Sequence, residues 1–325
     1  MVSLRYAGVA YDCRVGETVL DALLRQDAAV PFSCRNGVCL ICIMRCRGGT
    51  PPADSQEGIK DTLRLGGHFL PCICTVDGDL AFEPPNDDEI HGRAILRRVE
   101  HLAPSVCRVF LEPATPLYYR AGQFINLRRA DGMVRSYSLA SVPKLDDYLE
   151  LHVKRLPRGE MSNWLFEEAQ PDTGLDIQGP NGACFYVPGR PETPLLLIGN
   201  GAGLAPLIGI ARDALASGHG GDIQLYHGTR HAEGLYLDET LRAMAEEHAN
   251  FTYRACVSGE RGQSGRAENV AFAEHPGLDG YRVYVCGYPP MVYAARKTAF
   301  LMGAALADIY ADPFELRDLR SKPRD

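Results

Sequence analysis

The chain has 325 residues, of which 46% are hydrophobic and 23% charged, and it carries a formal net charge of −7. This length predicts two or three domains, and the composition is that of ordinary globular protein. The acidic balance argues against a nucleic-acid partner, because such a partner requires a basic face that displaces phosphate counterions.

Secretion and membrane insertion are not expected. The N-terminal residues lack the apolar core of a signal peptide. The stretch at 194–211 is uncharged and mostly apolar, but it contains four glycines and Pro206. A strand, a glycine turn and the start of a helix explain it better than a membrane helix. We therefore expect a cytoplasmic protein that does not bind membranes.

Residues 1–84 form the first of three regions that differ in pattern. Two short strand-like runs precede a predicted helix from Thr18 to Gln26, where Thr18 and Asp21 have the spacing of a capping box. A cysteine-rich loop and further short strands follow. The polar, proline-containing stretch at 84–89 predicts a linker.

Residues 91–188 have the pattern of an all-β region. Leu149, Leu151 and Val153 alternate with polar residues, as in a half-buried strand. A single helix is predicted from Met161 to Ala169.

Residues 189–325 alternate strand-like and helix-like segments. The predicted strands are Leu195–Ile198, Ile223–Tyr226, Phe251–Val257 and Arg282–Cys286, and the predicted helices are Leu204–Ala216, Asp238–Glu247 and Pro290–Met302. This alternation predicts a parallel sheet covered on both faces. Ligands of such sheets bind beyond the carboxyl ends of the strands.

Six of the 11 cysteines lie within 41 consecutive positions, which indicates a metal site. An odd total and the absence of an export signal argue against a disulfide framework. Three cysteines have the spacing C-x4-C-x2-C and a fourth follows after 29 residues, as in a plant-type [2Fe–2S] site. The candidate ligands are Cys34, Cys39, Cys42 and Cys72. Structural zinc is the alternative, although zinc sites usually pair two short cysteine or histidine units.

The N-terminal region resembles a plant-type ferredoxin of β-grasp fold. If the segment at 70–75 is extended, positions 72 and 74 point to the same face, so direction alone does not choose between Cys72 and Cys74. The resemblance assigns the fourth ligand to Cys72, and Cys46 is a weaker rival. Leu40 stands where members often carry glycine, which bears on the hydrogen bonds to sulfur and leaves the ligand spacing intact.

Two motifs in the all-β region indicate a flavin. The first is Arg-Ser-Tyr-Ser at 135–138, where an arginine can neutralise a pyrophosphate, a tyrosine can pack on a ring and a serine can bond a ring atom. The second follows the segment at 152–155 and opens the predicted helix with Gly159 and Ser162, a start suited to a phosphate. Taken alone, the first motif is weak, because a surface strand gives the same pattern.

A glycine-rich turn at 199–206 joins the first predicted strand of the α/β region to its first helix. Its glycines allow a tight turn and a close approach of the backbone to a phosphate. It does not match the dinucleotide fingerprint G-x-G-x-x-G, because Leu204 occupies the third glycine position.

In this order the three regions resemble the ferredoxin–NADP reductase superfamily, most closely the NADH-dependent reductase components of multicomponent oxygenases. The resemblance implies a multidomain α+β and α/β chain. It implies a β-grasp ferredoxin domain at 1–84, an antiparallel β-barrel FAD domain at 91–188 and a parallel-sheet α/β NAD domain at 189–325. The implied cofactors are FAD, a [2Fe–2S] cluster and NADH. The glycine turn departs from the family's G-G-x-T-G-x-A-P at Asn200 and Ala202.

The resemblance also assigns site residues. It places Ser138 and Cys286 beside the reacting atoms, although Cys286 could instead be a small buried apolar residue and Phe314 a packing aromatic. The residues it assigns to cofactor binding are Arg135, Tyr137, Ser138, Val153, Lys154, Gly159, Met161, Ser162, Gly199, Gly201, Gly203, Pro206, Cys286, Gly287 and Phe314.

The implied function is electron transfer from NADH through FAD to the chain's own cluster, and on to a terminal oxygenase or an intermediate ferredoxin. Arg230 and His231 follow the second strand of the α/β region, but Glu233 is close by, and the resemblance favours NADH over NADPH. The alternatives are a reductase partner of a deoxysugar dehydratase, a stand-alone NADH oxidase or diaphorase, and a redox sensor. We expect the isolated histidines to be structural: His68, His101 and His227.

Overall fold

The computed structural model describes residues 2–259 and 264–315, apart from the side chain of Asp88. The chain divides into two compact units, Met1–His91 with Glu315–Asp325 and Gly92–Phe314. Among the described residues, no helix has both the length and the apolar surface needed to cross a membrane.

The first unit is a five-stranded mixed sheet that packs against one main helix. Its strands are β1 (Val2–Tyr6), β2 (Val9–Cys13), β3 (Met44–Gly48), β4 (His68–Phe69) and β5 (Leu80–Glu83), and its helices are α1 (Val19–Arg25), α2 (Asp61–Leu65) and α3 (Asp87–Ile90). The strand order is β2-β1-β5-β3-β4, with β1 and β5 parallel. Helix α3 lies in the predicted linker, so that stretch is partly helical.

Helix α1 forms where the sequence predicts it. The Thr18 hydroxyl accepts a hydrogen bond from the Asp21 N–H at 3.1 Å and caps the first turn. Val19 and Leu23 lie on the buried face and pack with Leu4 in the core of the sheet. The backbone N–H of Leu20 donates to the Pro71 carbonyl at 3.0 Å, which ties the helix to the turn that carries Cys72.

The second unit begins with a six-stranded antiparallel barrel. Its strands are β6 (Gly92–Ala103), β7 (Val106–Pro113), β8 (Phe124–Arg128), β9 (Val134–Ser138), β10 (Leu149–Lys154) and β11 (Gly174–Asn181), with helix α4 (Glu160–Glu167) after β10. The order is β10-β7-β6-β11-β8-β9, and a bridge between Leu139 and Leu151 joins the two edges. The alternating leucines of β10 face the barrel core, as the sequence predicts.

The same unit continues as a five-stranded parallel sheet. Its elements are β12 (Leu195–Asn200), α5 (Leu204–Ala216), β13 (Ile223–Thr229), α6 (Asp238–Glu247), β14 (Phe251–Val257), α7 (Ala267–Glu274), β15 (Arg282–Gly287), α8 (Pro289–Leu301) and β16 (Ile309–Pro313). The order is β14-β13-β12-β15-β16, with apolar clusters on both faces. The fold class is therefore the predicted one.

One helix and one strand of this α/β region were not predicted from the sequence. Helix α7 has only a weak amphipathic pattern, and β16 contains an aspartate and a proline, residue types that strands disfavour. Strand β16 forms because it pairs in parallel with β15 over five residue pairs. This tertiary pairing outweighs the local preference of the sequence.

Candidate functional site

The four predicted cluster ligands lie together in the first unit, and all four are buried. They form two pairs, Cys34 with Cys39 and Cys42 with Cys72, each joined by a hydrogen bond between the side chains. The backbone N–H groups of Asn36 and Cys39 also donate to the Cys34 sulfur, each at 3.4 Å. The loop therefore wraps its backbone donors around a sulfur atom.

These donors favour a thiolate at Cys34. The hydrogen bond from the Cys39 thiol, together with the backbone N–H groups, outweighs burial and lowers the pKa of Cys34 to about 6. The paired thiol and burial raise the pKa of Cys39 and of Cys42. The loop thus stabilises a thiolate at Cys34, the form in which a cysteine ligates iron.

The pairing of the four thiols bears on the choice of metal. A structural zinc ion needs four donors around one point, whereas these thiols are joined two by two. A [2Fe–2S] cluster takes two ligands on each iron, so two thiol pairs fit it.

The structure places Cys72 and Cys74 in different surroundings. The condition that the segment at 70–75 is extended is not met, because the Ile73 N–H bonds back to the Leu70 carbonyl at 3.2 Å and closes a turn. Cys72 packs with Cys42 beside the loop, whereas Cys74 is fully buried in the core of the sheet. Burial raises the pKa of Cys74 to about 12.

The remaining rival, Cys46, is also directed elsewhere. Its thiol lies 3.4 Å from the Gly48 carbonyl and 3.5 Å from the Gly49 carbonyl, on strand β3 and just beyond it. Of the three cysteines considered for the fourth position, Cys72 alone packs with Cys42.

Leu40 adopts the left-handed conformation, with φ of 58°, that explains why a glycine is common at this position. Its side chain is 6% exposed and packs with Cys42 and Cys72. Burial of the leucine offsets the backbone strain, so the loop keeps its path without glycine.

A buried ion pair in this loop was missed by sequence reasoning. Arg35 follows the first ligand and, with φ of 56°, turns its guanidinium onto the Asp21 carboxylate of α1. Both side chains are less than a tenth exposed. From the sequence, Asp21 was assigned only to the capping box. Its ion pair with Arg35 also ties the loop to the helix.

In the second unit, residues far apart in the chain meet at one corner between the barrel and the parallel sheet. The Ser138 hydroxyl, at the end of β9, donates to the Asp312 carboxylate at 2.8 Å, and both residues are buried. Cys286 is the register partner of Asp312 across β15 and β16. The Phe314 N–H bonds to the Gly287 carbonyl at 2.7 Å, which places Phe314 beside them.

The thiol at this corner is held protonated. Burial, the neighbouring Cys184 thiol and the charge of Asp312 raise the pKa of Cys286 well above its usual value. The Cys184 and Cys286 sulfurs are 3.6 Å apart, and both side chains are buried. Burial also raises the pKa of Asp312 to about 6, against the lowering effect of the Ser138 hydrogen bond.

The predicted flavin residues differ in what their side chains contact. Arg135 and Tyr137 are half-buried on β9, and the Arg135 guanidinium donates to the Val134 carbonyl at 2.6 Å. Val153 and Met161 point into the barrel core, so only their backbone is available to a cofactor.

The turn before α4 is closed by Ser162. Its hydroxyl donates to the Gly159 carbonyl at 3.0 Å and accepts from the Leu156 N–H at 3.1 Å. A Cβ on Gly159 would lie 2.4 Å from that hydroxyl oxygen, so the turn leaves no room for a larger residue. Gly159 and Ser162 therefore shape the backbone at the helix start.

The glycine turn lies where β12 meets α5, at the carboxyl end of the parallel sheet. A Cβ on Gly203 would lie 2.3 Å from the Cys286 carbonyl oxygen, so glycine alone allows this close packing. The departure at Asn200 has a structural role, because its side-chain oxygen accepts from the Tyr288 N–H at 2.9 Å. Lys154 of β10 reaches this turn, with its Nζ 3.3 Å from where a Cβ on Gly201 would stand. Pro206 is buried in the first turn of α5.

Three family models match consecutive parts of the chain. They are a 2Fe-2S iron-sulfur cluster binding domain at residues 4–77, an oxidoreductase FAD-binding domain at 96–186 and an oxidoreductase NAD-binding domain at 197–297. Their order is the one that the motifs predict.

Whole-length relatives decide the family. A reductase component of Ralstonia sp, named for ferredoxin–NAD(P)+ in naphthalene 1,2-dioxygenase/salicylate 5-hydroxylase systems, is 30% identical and covers 93% of this chain and 95% of its own length. The chain belongs to the ferredoxin–NAD(P)+ reductases. An aromatic O-demethylase reductase subunit of Amycolatopsis is 35% identical over 89% of this reductase and 91% of the relative.

A solved structure agrees with this family. The crystal structure of the Amycolatopsis cytochrome P450 reductase GcoB superposes on the reductase with a TM-score of 0.69 at 30% identity, covering 97% of this chain and 99% of that one. The reductase therefore has domains for FAD, NAD and a [2Fe–2S] cluster, as the sequence predicts.

Sequence reasoning missed Asp312 as a member of the reductase's buried corner. The residue lies in the C-terminal segment from which only Phe314 was selected. A carboxylate beside apolar residues near the end of the chain was the available signal, but its significance depends on the pairing of β16 with β15.

Proposed function

We propose that this reductase accepts a hydride from NADH and delivers single electrons to a terminal oxygenase or an intermediate ferredoxin. When bound, FAD exchanges two electrons with a nicotinamide and one electron at a time with an iron–sulfur cluster. The protein contributes binding, orientation and the exclusion of water around these groups.

The observation that carries the proposal is the buried corner formed by Ser138, Cys286 and Asp312. It brings a barrel strand with a flavin motif against the carboxyl end of the parallel sheet, next to the glycine turn. Ser138 offers a hydroxyl whose orientation Asp312 fixes. Cys286 offers a protonated, buried thiol and excludes water.

The residues present fit each of the three groups. We assign the cluster to Cys34, Cys39, Cys42 and Cys72, on the basis of the two thiol pairs. The side chains assigned to FAD are Arg135, Tyr137, Ser138 and Lys154, with Phe314 close by and the backbone of Val153, Gly159, Met161 and Ser162. We assign NADH to the glycine turn, Pro206 and the Cys286–Gly287 strand end.

The electron acceptor follows from the relatives. The Ralstonia protein is named for a dioxygenase and a hydroxylase, the Amycolatopsis subunit for an O-demethylase, and the solved structure for a cytochrome P450. These names share oxygenation of organic substrates, and we propose an oxygenase system as the acceptor. The described cysteines form no disulfide, which supports work in the reducing cytoplasm.

The cofactor content of the protein and the acceptor of its electrons test this function. We expect the purified protein to carry one FAD and one [2Fe–2S] cluster, measured by flavin, iron and sulfide analysis. With NADH as the electron donor, the enzyme should reduce a ferredoxin much faster than it reduces oxygen. An iron-free protein that resists reconstitution, or one that passes its electrons to oxygen alone, would contradict the proposal.

We also expect a higher kcat/KM with NADH than with NADPH. Beyond β13 the exposed Arg230 and His231 stand near the exposed Glu233, whose charge disfavours a 2′-phosphate. Steady-state kinetics with both nucleotides measures the preference, and a ratio in favour of NADPH would overturn it.

A further inference from the structure

Buried polar side chains join barrel strand β10 to the glycine turn of the parallel sheet. The His152 Nε2 donates to the Glu150 carboxylate at 2.8 Å, and the Tyr236 hydroxyl bonds the His152 Nδ1 at 3.2 Å. The Tyr236 ring also packs edge-on against His227 of β13, with ring centres 5.3 Å apart. This line reaches the turn through a hydrogen bond between His227 Nε2 and the Gly201 carbonyl at 3.1 Å.

The tautomer and charge of His227 follow from this geometry. A carbonyl oxygen only accepts, so Nε2 carries the proton and Nδ1 is bare. The side chain is fully buried, and Nδ1 has no hydrogen-bond partner among the described residues. Burial lowers the pKa of His227 to about 4, so the ring is neutral at pH 7. It is a fixed, uncharged donor aimed at one backbone carbonyl.

That carbonyl belongs to a peptide whose conformation needs support. Gly201 has φ of 50°, in the left-handed region, and is the first residue of the short 3-10 turn Gly201–Gly203. Its carbonyl also accepts from the Leu204 N–H. Because the peptide is planar, holding the Gly201 carbonyl fixes the opposite direction of the Ala202 N–H. Backbone N–H groups at such a turn are the donors that bind a phosphate.

We propose that His227 is a positioning residue for the dinucleotide: its Nε2–H holds the Gly201 peptide so that the turn presents its N–H groups to the diphosphate of NADH. The edge contact with Tyr236 holds the imidazole in place, and Tyr236 is in turn bonded to His152 of the barrel. This inference rests on the proposed function, because it assigns the dinucleotide to this turn.

The test compares two amides that differ in reach. In His227→Gln the side-chain N–H falls near the position of the imidazole Nε2, whereas in His227→Asn it falls short. A neutral hydrogen bond contributes about 0.5–1.5 kcal/mol, so His227→Asn should weaken NAD+ binding by roughly two- to tenfold. His227→Gln should bind within about twofold of the wild type. Titration calorimetry of NAD+ into the oxidised holoenzyme measures the Kd.

His219 provides the matched control. It is also a buried histidine that hydrogen-bonds a tyrosine hydroxyl, at 3.2 Å from Tyr186, with ring centres 5.5 Å apart. It has no hydrogen bond to the glycine turn among the contacts described. His219→Asn should leave the Kd for NAD+ unchanged. With NADH as the substrate, His227→Asn should raise KM while kcat at saturation stays near the wild-type value.

Each outcome has a separate meaning. If the wild-type holoenzyme does not bind NAD+, the proposed function fails and the inference fails with it. If the wild type binds and His227→Asn binds equally well, the inference alone is wrong. Equal loss of affinity in the Gln and Asn variants, accompanied by loss of FAD, would also overturn it, because His227 would then support the fold rather than the turn.

Discussion

The cluster loop and the buried corner of the second unit both contain paired cysteines, but the pKa values of Cys34 in the loop and Cys286 in the corner are shifted in opposite directions. In the loop, hydrogen-bond donors lower the pKa of Cys34 to about 6. In the corner, burial, a neighbouring thiol and a carboxylate raise the pKa of Cys286. The first setting suits a thiolate that ligates metal, and the second suits a thiol that remains neutral beside a reacting group.

The difference comes from the balance between hydrogen-bond donors and burial at each sulfur. The loop bends through left-handed conformations at Arg35 and Leu40, and two of its N–H groups point at sulfur. In the corner the backbone of Asp312 also hydrogen-bonds Cys286, but burial, the Cys184 thiol and the Asp312 carboxylate outweigh this bond. The pKa of a cysteine therefore depends on how many donors reach its sulfur and on the burial and charge around it.

The largest expected effect is the loss of the cluster when the proposed ligand Cys72 is replaced, compared with replacement of the buried Cys74 two residues away. Cys72→Ser should abolish or strongly perturb the cluster, because it removes half of the pair with Cys42. Cys74→Ser should leave the cluster intact, because Cys74 lies in the core of the sheet. Visible absorption and the EPR signal of the reduced protein report both variants. The reverse pattern would move the fourth ligand to Cys74.

The next effect is a change in stability with pH that arises from the Asp312 carboxylate. Burial raises the pKa of Asp312 to about 6 in the folded protein, above its ordinary value of 3.8. The folded state thus binds the extra proton, and stability falls as the pH rises from about 4 to 6. Asp312→Asn removes this penalty, by up to ~3 kcal/mol above pH 6, and its amide oxygen can still accept from Ser138. Thermal unfolding of the holoenzyme should show a larger gain in Tm at pH 8 than at pH 4.5.

Asp131→Asn is the control with the opposite sign. The Arg129 guanidinium lowers the pKa of this exposed carboxyl to about 2. The ionised Asp131 carboxylate stabilises the folded state above pH 4, and this stabilisation is lost as the pH falls toward 2. Asp131→Asn should therefore not gain stability at pH 8. If Asp312→Asn shows no more gain at pH 8 than Asp131→Asn does, Asp312 is not held in the environment described.

A smaller effect tests flavin retention independently of the cluster. Arg135→Ala should weaken FAD binding by roughly ten- to a hundredfold, since a hydrogen bond to a charged group contributes about 1.5–3 kcal/mol. Arg129→Ala is the control, because Arg129 pairs with Asp131 at the protein surface. FAD dissociation constants measure both variants, while iron content should stay constant. An unchanged constant for Arg135→Ala would remove this residue from the pyrophosphate.

The cluster loop could be predicted because its chemistry is local. Three of the proposed ligands fall within nine residues, and their spacing alone indicates the metal. Local sequence could not supply the choice between Cys72 and Cys74, which came from the family resemblance, because their different surroundings depend on the turn at Leu70–Ile73. In the parallel-sheet region, four strands and three helices were predicted within a few residues because their hydrophobic patterns are strong, whereas α7 and β16 were not predicted.

The buried corner could be predicted only in part. Ser138 and Cys286 came from the family resemblance, and Asp312 was missed, because the three meet only when β15 and β16 pair and the barrel packs on the sheet. His227 was expected to be structural, and the sequence gives no sign that its ring bonds the glycine turn. Contacts between residues so far apart depend on tertiary packing, which no single motif encodes.

Anaerobic reduction with NADH tests the electron path most directly. The oxidised holoenzyme is mixed with a stoichiometric amount of NADH, and flavin absorbance and the cluster EPR signal are recorded on the same sample. We predict that flavin bleaching is accompanied by the EPR signal of a reduced [2Fe–2S] cluster. A protein whose flavin bleaches while its cluster stays oxidised, although dithionite reduces that cluster, would contradict transfer from NADH to the chain's own iron–sulfur site.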